Sequence, residues 1–447
     1  MAAFSSDTLI VFTSSPTGLG HIRVMDALID GLAPGNDYAT IGVADINASK
    51  IHALGSRVPI ALKVTEFIQN HFIAESIITK IYQKYFSTRT SGLIQELAKV
   101  RQEFPNKTKW IIVSTHFAHA YPVVAVKKKL GERLGVEIFN VLIVTDDSPQ
   151  RVWTVDGSDI IFVPSELTEA VLRRLLPKDT KTTVETVSFP ISPRLKVKLT
   201  EDELELLENQ LDPAKDYPLH INIPVSGAAV QLEFLKTVIN SLSQGQFVFT
   251  VIGQLTTYTK DFFEKLKTVA RVQINTSLSA QETVKYYESA FFQASRPACE
   301  ITKPSEQAFK AILKPNEKGG VILLLSDPVG RQEYDNLKFL IRHELLADTQ
   351  TQKELEDYLV EQGEIPQSQK NTIHYNASHW RALKLPANPA RTAAFIINAK
   401  KTGLLYSMLS YVPETKRDLT SDGVEQIWNS ISQMLQYRSR SGKSNLS

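Results

Sequence analysis

Short, predominantly apolar runs recur along this chain, and they constrain its fold more than any other feature. The clearest is Val321–Leu325, which has no polar residue. Apolar runs of strand length predict strands that are covered on both faces, as in parallel sheets. The other runs are Leu9–Phe12, Trp110–Val113, Ile138–Thr145, Ile160–Val163, Leu219–Val225, Phe247–Gly253, Val272–Asn275 and Phe291–Ala294. Segments with helical spacing, near 65–100, 119–134 and 166–176, alternate with them. This alternation predicts an α/β chain with parallel sheets.

The length and the order of these segments indicate two α/β domains. With 447 residues, two domains of ordinary size are the default. We expect a first domain over 1–195, a linker over 196–215 and a second domain over 216–415. A late amphipathic helix is expected over 416–437, and a disordered tail over 438–447.

Composition excludes several classes of protein. A hydrophobic share of 43% is sufficient for packed cores, and a net charge of +2 gives no indication of nucleic acid as a partner. The single cysteine fits a reducing compartment. No apolar stretch is long enough for a transmembrane helix, and the first residues lack the basic region of a signal peptide. We therefore expect a cytoplasmic protein, with membrane association left open.

A glycine-bearing turn with a histidine follows the first predicted strand. The turn contains Gly18, Gly20 and His21, and a helical pattern follows it. Glycine lets the backbone approach a ligand, and a helix N-terminus favours the neutral form of an imidazole. Neutral imidazole is the form that acts as a general base. A tight turn with a packed histidine explains the same residues.

Two further histidines, His116 and His119, follow the predicted strand at Trp110–Val113. Three residues apart, they can share one helix face, but no third metal ligand is evident and no metal is expected. A polar strand end packed against its neighbours is the alternative.

Paired acids, Asp146 and Asp147, follow the run at Ile138–Thr145. Carboxylates at a strand end suit proton abstraction or metal binding, and they equally suit the capping of a helix or turn.

In the second half, polar or glycine-bearing turns again follow the predicted strands. Ser226 and Gly227 follow one strand, Gly253 ends the next, and backbone N–H groups of such turns can hold phosphate oxygens. A helix with Thr302 as its N-cap is expected to carry Glu306. Beyond Val321–Leu325, another helix is expected to begin near Arg331 and to carry Gln332, Glu333 and Asn336. Turns with glycine are common in any doubly wound sheet.

The order of these features resembles that of GT-B glycosyltransferases, in particular the monogalactosyldiacylglycerol synthases and the lipid-II-forming N-acetylglucosaminyltransferase. Glu306 followed by Gln332, Glu333 and Asn336 resembles their donor site. In the first half, the resemblance includes the glycine turn with His21, the Ser114–Thr115–His116 run, Val144–Thr145–Asp146, Trp153, and Phe162–Glu166. The family usually has glycine where Lys303, Pro304 and Arg331 stand.

The resemblance implies two Rossmann-like parallel-sheet domains that face each other across a cleft. It implies an inverting transfer of a sugar from a UDP-sugar to a hydroxyl acceptor, for which a lipid is one candidate. His21 is then the candidate base, with Asp146 or Asp147 in reserve. It places Gly18, Gly20, His116 and His119 on the acceptor side, and Ser226, Gly227, Gly253, Glu306, Gln332, Glu333 and Asn336 on the donor side. No cofactor and no fixed metal are expected.

An amphipathic segment over 72–89 has apolar residues at helical spacing and basic residues beside them. Such a helix can lie in a membrane interface, but the same pattern describes a helix packed on its own sheet.

Two other functions fit the same sequence. One is a UDP-sugar epimerase or hydrolase, which turns over the donor without an acceptor. The other is a non-catalytic protein that binds nucleotide sugars, and the missing glycines favour it.

Overall fold

The chain folds into two α/β units, each built on a six-stranded parallel sheet. The computed structural model describes residues 4–14, 19–42, 71–227, 229–326, 328, 330–410 and 419–444. The first unit contains 1–193 and 416–447, and the second contains 194–415. The predicted α/β class with two Rossmann-like parallel sheets is confirmed.

The sheet of the first unit has the strand order β2-β1-β3-β4-β5-β6. Its strands are β1 (Thr8–Ser14), β2 (Tyr38–Gly42), β3 (Lys109–Ser114), β4 (Glu137–Ile143), β5 (Ile160–Val163) and β6 (Thr183–Thr186). Its helices are α1 (Leu19–Asp30), α2 (Phe72–Thr88), α3 (Ser91–Glu103), α4 (Phe117–Leu134) and α5 (Glu166–Leu175), with a 3-10 helix at Arg151–Trp153. The order reverses between β1 and β3, so the carboxyl ends of these two strands form the switch point of the sheet.

The sheet of the second unit has the order β12-β11-β10-β7-β8-β9. Its strands are β7 (Leu219–Pro224), β8 (Phe247–Gln254), β9 (Val272–Ser277), β10 (Cys299–Thr302), β11 (Val321–Leu324) and β12 (Ala382–Lys384). Counted from its own first strand, this is the order 3-2-1-4-5-6 of dinucleotide-binding folds, with the switch point between β7 and β10.

Helices cover the second sheet. They include most of residues 346–390, a polar stretch whose structure the sequence pattern did not predict. They are α6 (Glu201–Leu211), α7 (Leu232–Leu242), α8 (Lys260–Leu266), α9 (Ala280–Ser289), α10 (Arg331–Arg342), α11 (Thr349–Glu356), α12 (Gln367–Ala377), α13 (Pro389–Lys401) and α14 (Leu404–Ser407), with 3-10 helices at Ala290–Phe292, Glu306–Ile312 and Met408–Ser410 and a π-helix at Asp357–Gln362. The lone cysteine, Cys299, is fully buried, and burial raises the pKa of its thiol to about 12. A thiol in this environment stays protonated and is not a nucleophile.

The last helix, α15 (Gly423–Ser444), packs on the first unit. The indole N–H of Trp428 donates to the carbonyl oxygen of Leu28 at 3.0 Å, and its ring meets Phe12 edge-on at 6.1 Å. Gly423 lies so close to the backbone of Ser188 that an added Cβ would be 2.1 Å from its carbonyl oxygen. The helix can dock in this way only because residue 423 has no side chain.

Four sequence predictions differ from the structure. The expected linker 196–215 contains α6, which begins at a capping box and belongs to the second unit. The tail expected to be disordered from 438 is helical as far as Ser444. Residues 291–294 are not a strand, because a 3-10 helix ends at Phe292 and the strand begins at Cys299. Thr302 ends that strand instead of capping a helix.

We predict that Gly423→Ala destabilises the first unit by roughly 2 kcal/mol or more, since the Cβ meets backbone atoms that cannot move aside. Urea unfolding followed by tryptophan fluorescence measures this, because Trp110, Trp153 and Trp428 all lie in that unit.

Gly92→Ala is the matched control. Its added Cβ meets no atom within 4 Å, and Gly92 lies in the first turn of α3. The control is expected to be neutral, or more stable by up to about 1 kcal/mol. Equal unfolding midpoints for the two variants would contradict the close docking of α15.

Candidate functional site

Two histidines from separate motifs meet at the switch point of the first unit. His21 lies in the first turn of α1, which follows β1, and His116 immediately precedes α4, which follows β3. β1 and β3 pair in parallel as far as Thr13 and Ser114, whose hydroxyl oxygens are 2.8 Å apart. The imidazole rings of His21 and His116 contact each other edge to face, with centroids 4.5 Å apart. Strand pairing therefore unites two residues that are 95 positions apart in sequence.

Hydrogen bonds determine which nitrogen of His116 carries the proton. His116 is the N-cap of α4, and its Nδ1 accepts from the backbone N–H of Ala118 at 3.1 Å. A nitrogen that accepts has no proton, so the ring is neutral and its N–H is at Nε2. His116 is thus held in one tautomer, with its ring against that of His21.

The other ring is held by a threonine. Nδ1 of His21 lies 3.2 Å from Oγ1 of Thr145, two residues beyond β4. When Nδ1 donates its proton to this hydroxyl, Nε2 keeps the lone pair that a general base needs. Thr145 belongs to the Val144–Thr145–Asp146 run, in which no role was predicted for it. Its position beyond a buried strand was the signal that could have indicated one.

Aromatic side chains border the two histidines. Phe117 packs on His116 with ring centroids 4.3 Å apart, and it meets Trp153 edge-on at 5.4 Å. Phe86, from α2, lies 6.0 Å from Phe117. His119, one turn along α4, is buried, with its ring 6.2 Å from that of His116. These contacts give the site an apolar border.

The remaining first-unit candidates have different surroundings. Gly20 is half-buried beside His21, whereas Gly18 lies outside the described residues. In the described ranges, no three metal-ligating side chains come together.

The two acids separate into different environments. Asp147 is buried, and its Oδ1 accepts from the hydroxyls of Ser165 and Thr168, at 2.7 Å for Thr168. Ser165 is itself the N-cap of α5. Asp147 therefore holds the start of that helix, and the structure does not support its role as a reserve base. Asp146 is half-buried, and it stays the reserve candidate.

In the second unit, the predicted phosphate turn lies at the switch point. Ser226 and Gly227 follow β7, and Lys303 follows β10. These strands pair in parallel through Ile221 with Cys299 and Asn222 with Glu300. Gly227 is exposed, and Oγ of Ser226 is buried without a hydrogen-bond partner. An unsatisfied hydroxyl beside an exposed glycine is suited to receive a polar ligand.

A buried ion pair positions Glu306. The carboxylate of Glu300, on β10, lies 2.5 Å from Nζ of Lys310, and both side chains are buried. Asn222, on β7, donates to the same carboxylate at 2.8 Å. Lys310 belongs to the 3-10 helix that begins at Glu306. The pair therefore fixes this helix to the sheet, with half-buried Glu306 at its first position.

The run over 330–336 is folded back on the end of β10. Gly330 has a φ of +82°, and the amide of Gln332 lies over it, 3.0 Å from where a Cβ would be. Glycine is therefore required at 330. Asn336 is buried and donates to the carbonyl oxygen of Pro304 at 3.1 Å. Asn336 thus ties α10 to the segment before Glu306.

Glu333 forms an ion pair that the sequence did not predict. Its carboxylate is 3% exposed and forms an ion pair with Lys303, whose side chain is 17% exposed. The resemblance assigned Glu333 to the donor side. The structure instead gives its carboxylate to Lys303, a residue that the sequence analysis treated only as a departure from the family.

Gly253 does not form a turn, because β8 continues to Gln254. A Cβ at Gly253 would lie 2.7 Å from the ring of Phe263 and 3.0 Å from Val225. Packing inside the core explains this glycine, so its predicted ligand contact is not supported.

Two exposed apolar side chains at the carboxyl edge were missed by the sequence analysis. Leu278 directly follows β9 and is 77% exposed, and Tyr258 follows β8 and is 60% exposed. The amide of Gln254 donates to the carbonyl oxygen of Leu278 at 3.0 Å, which links the two strand ends. Apolar residues in such positions offer a surface to a planar ring.

No protein-family model and no curated protein sequence match this chain. Among solved structures, the chain is similar to MnaA of S. aureus in a structure with UDP, at a TM-score of 0.46 and 11% identity, covering 96% of this chain and 97% of that one. It is similar to the UDP-GlcNAc 2-epimerase of Neisseria meningitidis at 0.44 and 12%, covering 95% and 99%. It is similar to MurG of Acinetobacter baumannii at 0.43 and 12%, covering 95% and 99%. Because these TM-scores are below 0.5, function is inferred from the residues of this chain.

Proposed function

We propose that this chain is a GT-B glycosyltransferase that moves a sugar from a UDP-sugar to a hydroxyl acceptor. One observation supports the proposal above all others. Residues from each half of the sequence resemblance lie at the switch point of the corresponding sheet, and ligands bind at such points in open α/β sheets. In the first unit these are His21 and His116, and in the second they are Ser226 and the Glu306 helix.

The second unit holds the donor in this proposal. Backbone N–H groups near Ser226 and Gly227 bind the diphosphate, and the carboxylate of Glu306 accepts from the ribose hydroxyls. Gln332 is the sugar-contacting residue, since its Oε1 is buried without a hydrogen-bond partner. Asn336 keeps the Glu306 segment in place through Pro304.

The first unit activates the acceptor in this proposal. His21 Nε2 takes the proton of the acceptor hydroxyl as its oxygen attacks the anomeric carbon. The bond between that carbon and the diphosphate oxygen breaks, and UDP leaves with the electron pair. The Nε2–H of His116 orients the acceptor by donating to one of its oxygens. Direct displacement inverts the anomeric centre.

Single substitutions separate these roles. We predict that His21→Ala lowers kcat by roughly 10²- to 10⁴-fold with little change in donor affinity, because it removes proton transfer. Glu306→Ala is expected mainly to raise the KM for the donor. The measurement is steady-state transfer by purified, folded enzyme. His379→Ala, between α12 and the amino end of β12, and Glu264→Ala, within α8, are the controls, because neither residue directly follows the carboxyl end of a strand.

Three other results would contradict the assignment. Unchanged kinetics in both variants would exclude these residues from the reaction. Donor turnover without any acceptor would indicate an epimerase or hydrolase. UDP binding with no turnover would indicate a non-catalytic binding protein. The ion pair between Glu333 and Lys303 favours this alternative, because it occupies a carboxylate that the resemblance assigned to the donor side.

We further propose that α2 contacts a membrane surface and that the acceptor is an amphiphile. Ile73, Ile77 and Ile81 repeat every four residues and are 74%, 55% and 55% exposed. The opposite side of α2 is seated on the unit, since Glu75 accepts from the backbone N–H of Arg151 at 2.8 Å, and Gln83 donates to the hydroxyl of Tyr121 at 3.0 Å. The isoleucine stripe is therefore not the packing face.

Charge indicates which membrane α2 fits. Lys80 and Lys84 are exposed, as is Arg89 just beyond the helix, whereas Glu75 is engaged with Arg151. A basic helix with an exposed apolar stripe suits an anionic lipid surface. In the part of the chain that the structure describes, no helix has the length and apolar character needed to cross a bilayer.

We predict that the protein cosediments with vesicles containing anionic lipid, and that Ile77→Glu lowers the bound fraction at least several-fold, because it places a carboxylate in the stripe. Ile397→Glu, at another exposed isoleucine, is the matched control. Equal binding by both variants, or no binding by the unchanged protein, would contradict the membrane contact.

A further inference from the structure

Lys303 and Glu333 form an ion pair at the switch point of the second unit. We infer that Lys303 binds the diphosphate of the donor and that Glu333 positions the Lys303 ammonium for that contact. This inference rests on the proposed function and deepens it. It names Lys303, where the family usually has glycine, as the residue that binds the negative charge of the donor.

The position of Lys303 is set by the two central strands of the sheet. It follows directly on β10, while Ser226 and Gly227 follow β7, and the two strands pair in parallel. Residues beyond the carboxyl ends of neighbouring parallel strands lie at one edge. The lysine and the turn with the unsatisfied Ser226 hydroxyl therefore lie at the same edge, beside the same strand pair.

The difference in exposure of the two partners shows which is the contact residue. Glu333 is 3% exposed and comes from the first turn of α10, whereas the Lys303 side chain is 17% exposed. A buried carboxylate needs a partner, and here that partner keeps part of its own side chain exposed. An ammonium has three N–H donors, so it can contact a carboxylate and a phosphate oxygen together.

The chemistry of this edge favours a diphosphate over a neutral ligand. A lysine ammonium and backbone N–H groups are all donors, and they match the acceptor oxygens of a phosphate. Uridine offers its base and ribose but no phosphate. Comparing UDP with uridine therefore isolates the contribution of Lys303 from that of the rest of the nucleotide site.

The test measures the dissociation constants of UDP and uridine by calorimetry on the full chain. We expect Lys303→Met to raise the dissociation constant of UDP roughly 10- to 100-fold, which corresponds to the loss of one charged hydrogen bond. The dissociation constant of uridine should change by less than about twofold. Lys303→Arg keeps the charge and should stay within about fivefold of the unchanged protein for UDP.

Removing Lys303 alone leaves a buried carboxylate without its cation, so this variant is paired with a second. Lys303→Gln with Glu333→Gln removes both charges and should show the same selective loss of UDP affinity. Lys318→Met is the matched control, because Lys318 pairs with Glu203 before the amino end of β11, and it should change neither affinity.

The outcomes distinguish the two proposals. Retention of UDP affinity in Lys303→Met and in the double variant Lys303→Gln with Glu333→Gln would overturn the role of Lys303 while leaving the donor site intact. Equal losses for UDP and uridine would make Lys303 merely structural and would overturn the inference. If the unchanged protein binds neither ligand, the proposed function fails as well.

Discussion

The parallel pairing of two central strands in each unit is the constraint on which the candidate site depends. β1 beside β3 brings His21 and His116 into contact, and β7 beside β10 puts Ser226 and Lys303 at the same edge of the second sheet. Neither pair is close in sequence. Each strand ends at the same edge as its neighbour, so short polar turns that are separated along the chain become one local environment. The chemistry of the site follows from this topology more than from any single motif.

Two ion pairs then fix the positions of the candidate donor-site elements in the second unit. Lys310 and Glu300 are fully buried and fix the Glu306 helix to the sheet. Lys303 and Glu333 fix the start of α10 to the end of β10 and leave the lysine partly accessible. A buried charge is tolerated only when it is paired and hydrogen-bonded, so each pair specifies one arrangement of its elements. A partly accessible cation within such an arrangement is suited to bind an anion.

The sequence predicted the elements better than their contacts. Apolar runs located most of the strands, because a strand covered on both faces must be apolar. β10 was missed since Glu300 stands in its middle, and only the later Lys310 makes that carboxylate acceptable in a core. Asp147 was a candidate both for a reserve base and for capping, and its hydrogen bonds with Ser165 and Thr168 put it at the start of a helix. Gly253 was expected in a ligand-contacting turn, but the close packing of the Phe263 ring explains why this position has no side chain. In each case the deciding partner lies ten or more positions along the chain, in or beside another element of the fold.

Hydrogen exchange with and without saturating UDP tests most directly whether the carboxyl edge of the second sheet is the donor site. We predict slower exchange of backbone amides over 224–231 and 302–309, with no change over 314–320, the loop at the amino end of β11. Bound UDP that slows exchange only at 314–320, or only within the first unit, would contradict it.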